Sequence, residues 1–129
     1  MLGRPPTTRP VPCARFRHGS LECTVVSDGI LEMGPARVNF PTADPAEVDA
    51  LLEEHYLPVH NVRLNENILV VRVGDQLIQF DSGVGVDPAL GRGFFGPKTG
   101  QVIPNLRAAG IDAADIDLVA ITHTHPDHV

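Results

Sequence analysis

The sequence predicts an α+β fold in which helices pack against a mixed β-sheet. Apolar runs typical of strands alternate along the chain with segments whose apolar residues recur at helical spacing. Two of the apolar runs are separated only by Gly74-Asp75, a connection that suits a tight hairpin. The predicted order is strand, helix, hairpin, helix, strand, with about four strands in the sheet.

Length and composition fit a single globular domain. The chain has 129 residues, of which 43% are hydrophobic, so a buried core is possible. No apolar run approaches the length of a membrane span, and we expect no association with a membrane. Cys13 and Cys23 are too few for a disulfide scaffold, which favours a reducing, cytoplasmic setting. Cys23 begins an apolar stretch and is predicted to be a small core residue.

Residues 1–20 are predicted to form a flexible basic leader before a domain over residues 21–129. The leader is rich in proline and lacks the apolar centre of a secretory signal. Its charged residues are all arginines, and no acid occurs before Glu22, so the remainder is more acidic than the net charge of −6 indicates. An acidic body argues against nucleic acid as a partner.

The first predicted strand covers residues 22–29, ECTVVSDG, an apolar run that an Asp-Gly turn closes. The following ILEMGPARVNFPTA is rich in glycine and proline and is predicted to be a loop.

The clearest helix is predicted over residues 44–56. Asp44 suits the N-cap, Pro45 the first helical position, and Glu47 completes a capping box. The apolar residues at helical spacing predict a stripe that packs in the core. They are Val48, Leu51, Leu52 and Tyr56.

The hairpin and a second helix follow. Residues 68–73 and Gln76–Phe80 are its predicted strands, and the apolar run at 68–71 favours a strand covered on both faces. The glycine-rich segment at residues 84–100 is predicted to be a loop and lacks the spacing of a phosphate-binding loop. Its Phe94 and Phe95 suit either a substrate pocket or the core, and the core is favoured.

QVIPNLRAAG is predicted to be a helix that ends at Gly110, with Arg107 in its last turn. IDLVAITH is then predicted to be a strand that leads the chain to His123.

The chain closes on ITHTHPDHV, a cluster typical of a metal site. In an extended segment, residues two apart point to the same side, so His123 and His125 are expected to converge. Pro126 ends the extended run and brings Asp127 and His128 round beside them. Imidazole and carboxylate together suit zinc, iron or manganese. Surface histidines gathered by chance, or the remnant of a tag, are the alternatives.

THTHPDH resembles the His-x-His-x-Asp-His signature of the metallo-β-lactamase superfamily. The similarity extends over most of the chain from Cys23 onward: TVVSDG resembles the opening strand of many members, and Asp81-Ser82-Gly83 resembles their Asp-Thr-Gly turn. The segment from FFGPKTG to the end looks most like the branch of methyl parathion hydrolase and the quorum-quenching lactonases.

The resemblance implies the N-terminal half of an αβ/βα sandwich with two divalent metal ions, most simply Zn²⁺, with Fe or Mn as alternatives. His123 and His125 would bind the first ion, and Asp127 and His128 the second. Asp127 would also be catalytic, by orienting a metal-bound hydroxide. Asp81 would support the ligand histidines, although an ordinary turn-forming aspartate before glycine explains it equally well.

The implied function is hydrolysis of a small-molecule ester, lactone, amide or phosphotriester. One alternative is an iron-dependent oxidoreductase of the same superfamily, of the persulfide dioxygenase or flavodiiron type. Another is a non-catalytic truncated relic. Members of the family supply further ligands after the signature, so we expect the chain to be an N-terminal fragment that is inactive alone. The sequence indicates neither the substrate nor the oligomeric state.

Overall fold

A five-stranded mixed sheet forms the centre of the computed structural model, which describes residues 13–129. The strands lie side by side in chain order. The first four are mutually antiparallel, whereas the fifth pairs parallel to the fourth. The predicted α+β class with a mixed sheet is therefore confirmed. The strands are β1 (Cys13–His18), β2 (Leu21–Glu32), β3 (Arg63–Val73), β4 (Gln76–Phe80) and β5 (Leu118–Ala120).

Among the described residues, four α-helices connect or flank these strands. Two of them are single turns, one within each of the segments that were predicted to be loops. Among residues 13–129, no helix is long and apolar enough to span a membrane. The helices are α1 (Ala36–Asn39), α2 (Pro45–Glu54), α3 (Arg92–Phe95) and α4 (Val102–Ala108).

Strand β1 corrects the prediction of a leader over residues 1–20. Cys13 pairs with Val26 and His18 with Leu21, so this segment is an edge strand of the sheet. Its polar side chains are exposed, and charged residues are common on edge strands because they discourage pairing with other chains. A basic composition was therefore compatible with a strand. The rest of the predicted leader, residues 1–12, lies outside the described residues.

The Asp-Gly pair at the end of the first predicted strand does not form a turn. Strand β2 continues to Glu32, and the register with β3 shifts between Ser27 and Gly29, which marks a β-bulge. A Cβ on Gly29 would lie 1.9 Å from the carbonyl oxygen of Lys98, so only glycine fits there. The bulge therefore allows β2 to pass directly under the loop that precedes α4.

The bulge residue Asp28 ties three segments together. Its side chain is fully buried, and its carboxylate accepts hydrogen bonds from the backbone N–H groups of Val84 at 2.9 Å, Gln101 at 2.7 Å and Val102 at 2.9 Å. Buried carboxylates are stable when several donors surround them. Asp28 thus fixes the loop after β4 and the start of α4 against β2.

The hairpin between β3 and β4 is confirmed. Val73 pairs with Gln76 across the turn at Gly74-Asp75, where Gly74 has a φ of 60°. Helix α4 lies against one face of the sheet, and Gly110, with a φ of 75°, follows its end as predicted. The main core lies between them. It consists of Val26, Ile68, Val70, Leu77, Val102, Leu106 and Ala109.

Helix α2 occurs where it was predicted, but its apolar stripe is not core. Asp44 caps the helix by accepting from the Ala46 N–H at 2.9 Å. None of the helix's ten residues is buried by the described part of the chain, and Leu51 is 51% exposed. Tyr56, just past the helix, is 96% exposed. Periodicity identified the helix correctly, but the helix does not turn this face to the sheet.

The two neighbouring phenylalanines have different environments. Phe95 is 4% exposed and packs with Leu31 and Val84 in a second small core. Phe94 is 71% exposed, so the predicted core position is correct for Phe95 and wrong for Phe94. Cys23 is buried, as predicted.

Candidate metal centre

The parallel pairing of β5 with β4 brings the histidine motif beside the segment that follows β4. Ala120 pairs with Phe80, and its carbonyl accepts from the Asp81 N–H at 3.0 Å. The Ser82 N–H donates to the carbonyl of His128, also at 3.0 Å. Strand β5 ends at Ala120 instead of continuing to His123, so the predicted strand is too long at its C-terminal end. The motif itself is a turn anchored at both ends.

The three imidazoles of the motif converge. His123 Nε2 and His125 Nδ1 are 2.9 Å apart, and the His123 and His128 rings have centroids 4.1 Å apart. The turn predicted at Pro126 is present, since the His128 N–H donates to the His125 carbonyl at 2.9 Å. Two nitrogens that share a tetrahedral ion with bonds of about 2.0–2.1 Å lie roughly 3.3 Å apart. The nitrogens of His123 and His125 therefore have nearly the separation that one ion needs.

His128 lies between two carboxylates. Its Nδ1 is 2.7 Å from Asp81 Oδ2, and its Nε2 is 3.3 Å from Asp127 Oδ2. Because Nδ1 donates to Asp81, the lone pair of a neutral ring is on Nε2, which faces Asp127. Asp127 and His128 therefore present an oxygen and a nitrogen to the same space.

Asp81 connects this histidine to the start of the motif. Its carboxylate accepts from the Thr122 N–H at 2.7 Å and from the Thr122 hydroxyl at 2.9 Å, besides the bond with His128. Its backbone is left-handed, with a φ of 63°, a strained conformation for a residue other than glycine. Two residues later, the backbone of Gly83 lies so close to Asp28 that a Cβ would be 2.7 Å from the carboxyl carbon of that side chain. The hydrogen bonds of its carboxylate and the close packing of the backbone that follows it together fix the position of Asp81.

These contacts shift the pKa values of the pair in opposite directions. Burial by itself would raise the pKa of Asp81, but the hydrogen bonds from Thr122 and His128 outweigh it and lower the pKa. Burial would lower the pKa of His128, but the hydrogen bond with Asp81 and the charges of Asp127, Asp81 and Glu66 raise it. Each partner therefore stabilises the charged form of the other.

Glu66 on β3 is a member of this site that the sequence analysis missed. It is 7% exposed, and one of its oxygens forms a group with ligand atoms of Asp127 and His128 in which all lie within 4.8 Å of one another. Burial raises the pKa of Glu66 to about 7, and the negative charges of Asp127, Asp28 and Asp81 add to the rise while His128 opposes it. One signal in the sequence was available: Glu66 is two residues before Ile68 and so shares the core face of the strand.

The donor set fits divalent transition-metal ions. It combines three imidazoles with the carboxylates of Asp127 and Glu66, and imidazole and carboxylate are the ligands that zinc, iron and manganese accept. The carboxylates of Asp127 and Glu66 lie beside the half-buried His128, and a cation would stabilise this group of negative charges. All five predicted site residues, His123, His125, Asp127, His128 and Asp81, lie in this one cluster.

Comparison with known proteins agrees with this geometry. The profile of the metallo-beta-lactamase superfamily matches residues 61–129, which is more than half of the chain. The chain belongs to the metallo-beta-lactamase superfamily. No curated protein sequence matches it significantly.

Solved structures of the superfamily share its fold. AidC, a dizinc quorum-quenching lactonase in complex with the product N-hexanoyl-L-homoserine, is 28% identical with a TM-score of 0.79, and the match covers 90% of this chain and 37% of that one. The hydrolase AbOPH is 29% identical with a TM-score of 0.75, covering 92% of this chain and 38% of that one. A probable metal-dependent hydrolase from Staphylococcus aureus, 19% identical, matches in fold with a TM-score of 0.66, covering 88% of this chain and 41% of that one.

The matches confirm the resemblance to the superfamily and to its lactonase-like members. The described residues are part of the metallo-beta-lactamase sandwich, and the chain spans well under half the length of the solved structures that it matches.

Proposed function

We propose that this chain carries one half of the active site of a metal-dependent hydrolase. The observation that supports the proposal most is the convergence of His123, His125 and His128 beside Asp127, in a chain of the metallo-beta-lactamase superfamily. Relatives that match over nine-tenths of this chain include a dizinc lactonase and a hydrolase. The activity is proposed for a protein that has the complete domain.

The residues divide into two pairs of ligands. His123 and His125 would hold one divalent ion, and Asp127 and His128 would hold a second. The ions would supply Lewis acidity and lower the pKa of a water molecule toward neutrality. We infer zinc as the ion, since AidC is a dizinc enzyme and the donor set suits zinc.

The protein's own groups would position these ligands and the water. The Asp127 carboxylate accepts hydrogen bonds, so it would orient a water molecule for attack on the substrate's carbonyl or phosphoryl centre. Asp81 would keep the proton of His128 on Nδ1, 2.7 Å away, and so leave Nε2 free to bind metal.

We infer that the substrate is a small molecule with a lactone, ester, amide or phosphotriester bond, because AidC is a lactonase and AbOPH a hydrolase. The test is to express the protein with its complete coding sequence, measure its metal content, and assay a panel of lactones, esters, amides and phosphotriesters. We expect bound zinc and hydrolysis of at least one class, lost when a chelator removes the metal. Bound iron together with oxygen consumption would contradict the hydrolase proposal.

The variant pair H123A and D49N supplies the control for this assay. His123 lies in the cluster, whereas Asp49 is exposed on α2. H123A is expected to abolish the activity, and D49N to keep it. Equal activity in both variants would show that the measured hydrolysis comes from another site.

We also infer a reducing compartment such as the cytoplasm. Cys13 and Cys23 are both free, in neighbouring strands of the sheet. Free cysteines persist in compartments where thiols stay reduced. The measurement is fractionation of cells that express the native gene, and recovery of the protein outside the cytoplasm would contradict this inference.

A further inference from the structure

Glu66 occupies a position on β3 that a structural role does not explain. Residues two apart on a strand face the same side, so Glu66 shares its face with Ile68 and Val70, which belong to the core beneath α4. The strand thus points a carboxylate into the protein at the level of the histidine motif. Burying a charged group in such a place is unfavourable unless a donor or a cation compensates it.

The other buried carboxylates of this region accept hydrogen bonds from several donors, whereas Glu66 accepts none from the described residues. Asp28 accepts from three backbone N–H groups, and Asp81 accepts from Thr122 and His128. Over residues 13–129, no N–H or O–H group donates a hydrogen bond to the Glu66 carboxylate, although the residue as a whole is only 7% exposed. Its oxygens retain contact with the space beside the histidine motif, since no side-chain oxygen of the described residues is both buried and without a hydrogen-bond partner. Its charged neighbours are His128 and the acids Asp127, Asp28 and Asp81, so more carboxylates than imidazoles surround it, a setting in which a cation is favourable.

The distances within the cluster also suit a cation beside the Glu66 carboxylate. The ligand atoms of Glu66, Asp127 and His128 all lie within 4.8 Å of one another. Protein atoms that share one ion through bonds of about 2.0–2.2 Å lie within roughly 4.4 Å of one another. The spread of these three atoms is close to that of atoms that share one ion, and His128 Nε2 lies 3.3 Å from Asp127 Oδ2.

We propose that Glu66 is a third protein ligand, with Asp127 and His128, of one divalent cation. The proposal rests on the proposed function in that it places this cation in the hydrolase site. It adds to the motif a ligand from a different strand, β3, so that the ion would join the core of the sheet to the turn after β5.

The test is metal binding by the intact protein, compared between the wild type and the variant E66Q. Zinc affinity is measured by isothermal titration calorimetry on protein that a chelator has stripped of metal, and Co²⁺ absorption reports the coordination. Gln keeps the size of Glu and can still donate a hydrogen bond, but it loses the anionic oxygen that binds metal. E66Q is expected to reduce the affinity for one of the bound ions about tenfold or more and to change the Co²⁺ absorption bands.

Two controls accompany this comparison. E53Q makes the same chemical change on the exposed surface of α2 and is expected to bind metal like the wild type. D127N removes a ligand of the same ion and is expected to weaken the same binding event. Thermal unfolding of each metal-free variant shows whether it is folded, and E66D, which retains the charge on a shorter side chain, replaces E66Q if that variant does not fold.

The outcomes separate this proposal from the proposed function. If D127N loses affinity while E66Q binds like the wild type, Glu66 is not a ligand, and the proposal is overturned. If the wild type itself takes up no metal, or D127N has no effect, the metal centre and the hydrolase proposal both fail. Weakened zinc binding by E66Q alone among the two Glu variants supports the assignment.

Discussion

Asp81 is the residue on which the orientation of the candidate centre depends. It bonds Nδ1 of His128 and both polar groups of Thr122, so it determines which ring nitrogen faces Asp127. A carboxylate behind a ligand histidine fixes its tautomer and raises its basicity. The sequence left a turn-forming role equally open, and the contacts with His128 now favour the supporting role.

The variant D81N tests that role. It preserves the shape of the side chain but removes the charge that holds the proton on Nδ1, so we expect metal affinity and activity to fall about 10- to 100-fold. Zinc titration and hydrolysis rates measure both quantities. D49N, on the exposed surface of α2, is the matched control. Unchanged zinc affinity in D81N would mean that Asp81 serves only the turn.

The raised pKa of Glu66 makes the stability of the metal-free protein depend on pH. The unfolded chain releases this proton near the ordinary value of 4.5, whereas the folded protein keeps it up to about 7. As pH rises through this interval, the folded state binds more protons than the unfolded state, so the free energy of unfolding decreases. The contribution is fully present below the unfolded value and is lost above the folded one.

Denaturant unfolding at a series of pH values, with chelator present, measures this effect. Relative to E66Q, the wild type is expected to lose on the order of 1–2 kcal/mol between about pH 4.5 and 7, with screening by nearby solvent included. Parallel stability curves for the two proteins would contradict it.

The sequence predicts the proximity of the motif residues, whereas for Glu66 it indicates only the core-facing side of its strand and not its neighbours. His123, His125, Asp127 and His128 lie within six consecutive residues, so local geometry alone brings them together. Glu66 comes from a strand far away in the chain. Its part in the site depends on strand pairing, which composition does not reveal.

At the level of elements, the two longer helices show what the spacing of apolar residues predicts and what it does not. Both α2 and α4 were predicted, and both occur. Periodicity identifies a helix and its apolar face, but not the partner of that face. The face of α4 lies on the sheet, whereas that of α2 remains largely exposed among the described residues.

Truncation of one leucine on each helix tests this difference. Leu106 is 1% exposed in the core, so L106A is expected to reduce the free energy of unfolding by about 2–5 kcal/mol. L51A, at a half-exposed position, is expected to cost well under about 1 kcal/mol. Thermal or denaturant unfolding of both variants provides the comparison. A cost for L51A as large as that for L106A would mean that α2 packs against something in the intact protein.

The first two strands were harder to predict than the hairpin. A tight-turn sequence between two apolar runs predicts the hairpin, and the hairpin occurs as expected. Strand β1 is polar because it lies at the edge, and the Asp-Gly pair in β2 is a bulge, although the same dipeptide also favours turns. Both errors arise where tertiary pairing overrides a local signal.

At the scale of the whole molecule, the sheet has two faces with different surroundings. One face is covered by α4, and the other bears a groove lined mainly by apolar side chains. The run at residues 68–71 was predicted to be covered on both faces, and Leu69 on the groove side is only partly buried by the described residues. The groove is lined by Phe16, His18, Leu21, Cys23, Leu69, Val71, Val73, Ile78 and Phe80.

Metal binding is expected to stabilise the molecule as a whole. A ligand that binds only the folded state stabilises it by about 2.7 kcal/mol when its free concentration is about 100 times its Kd. Zinc is therefore expected to raise the Tm, and a chelator to reverse the rise. Scanning calorimetry with and without zinc measures the effect, and the double variant H123A/D127N is the control. An equal rise in that variant would indicate binding elsewhere.

Strand β5 is only three residues long, yet His123, His125, Asp127 and His128 all follow it directly in the chain. The Asp81 carboxylate is hydrogen-bonded both to Thr122, just after this strand, and to the imidazole of His128. The position of His128 is therefore coupled to the position of the edge strand. Substitutions in Leu118–Ala120 that prevent this strand from pairing are therefore expected to abolish metal binding completely instead of reducing it gradually. Random mutagenesis of these three residues should yield variants that bind either the full amount of metal or none, as metal analysis of the purified variants would measure.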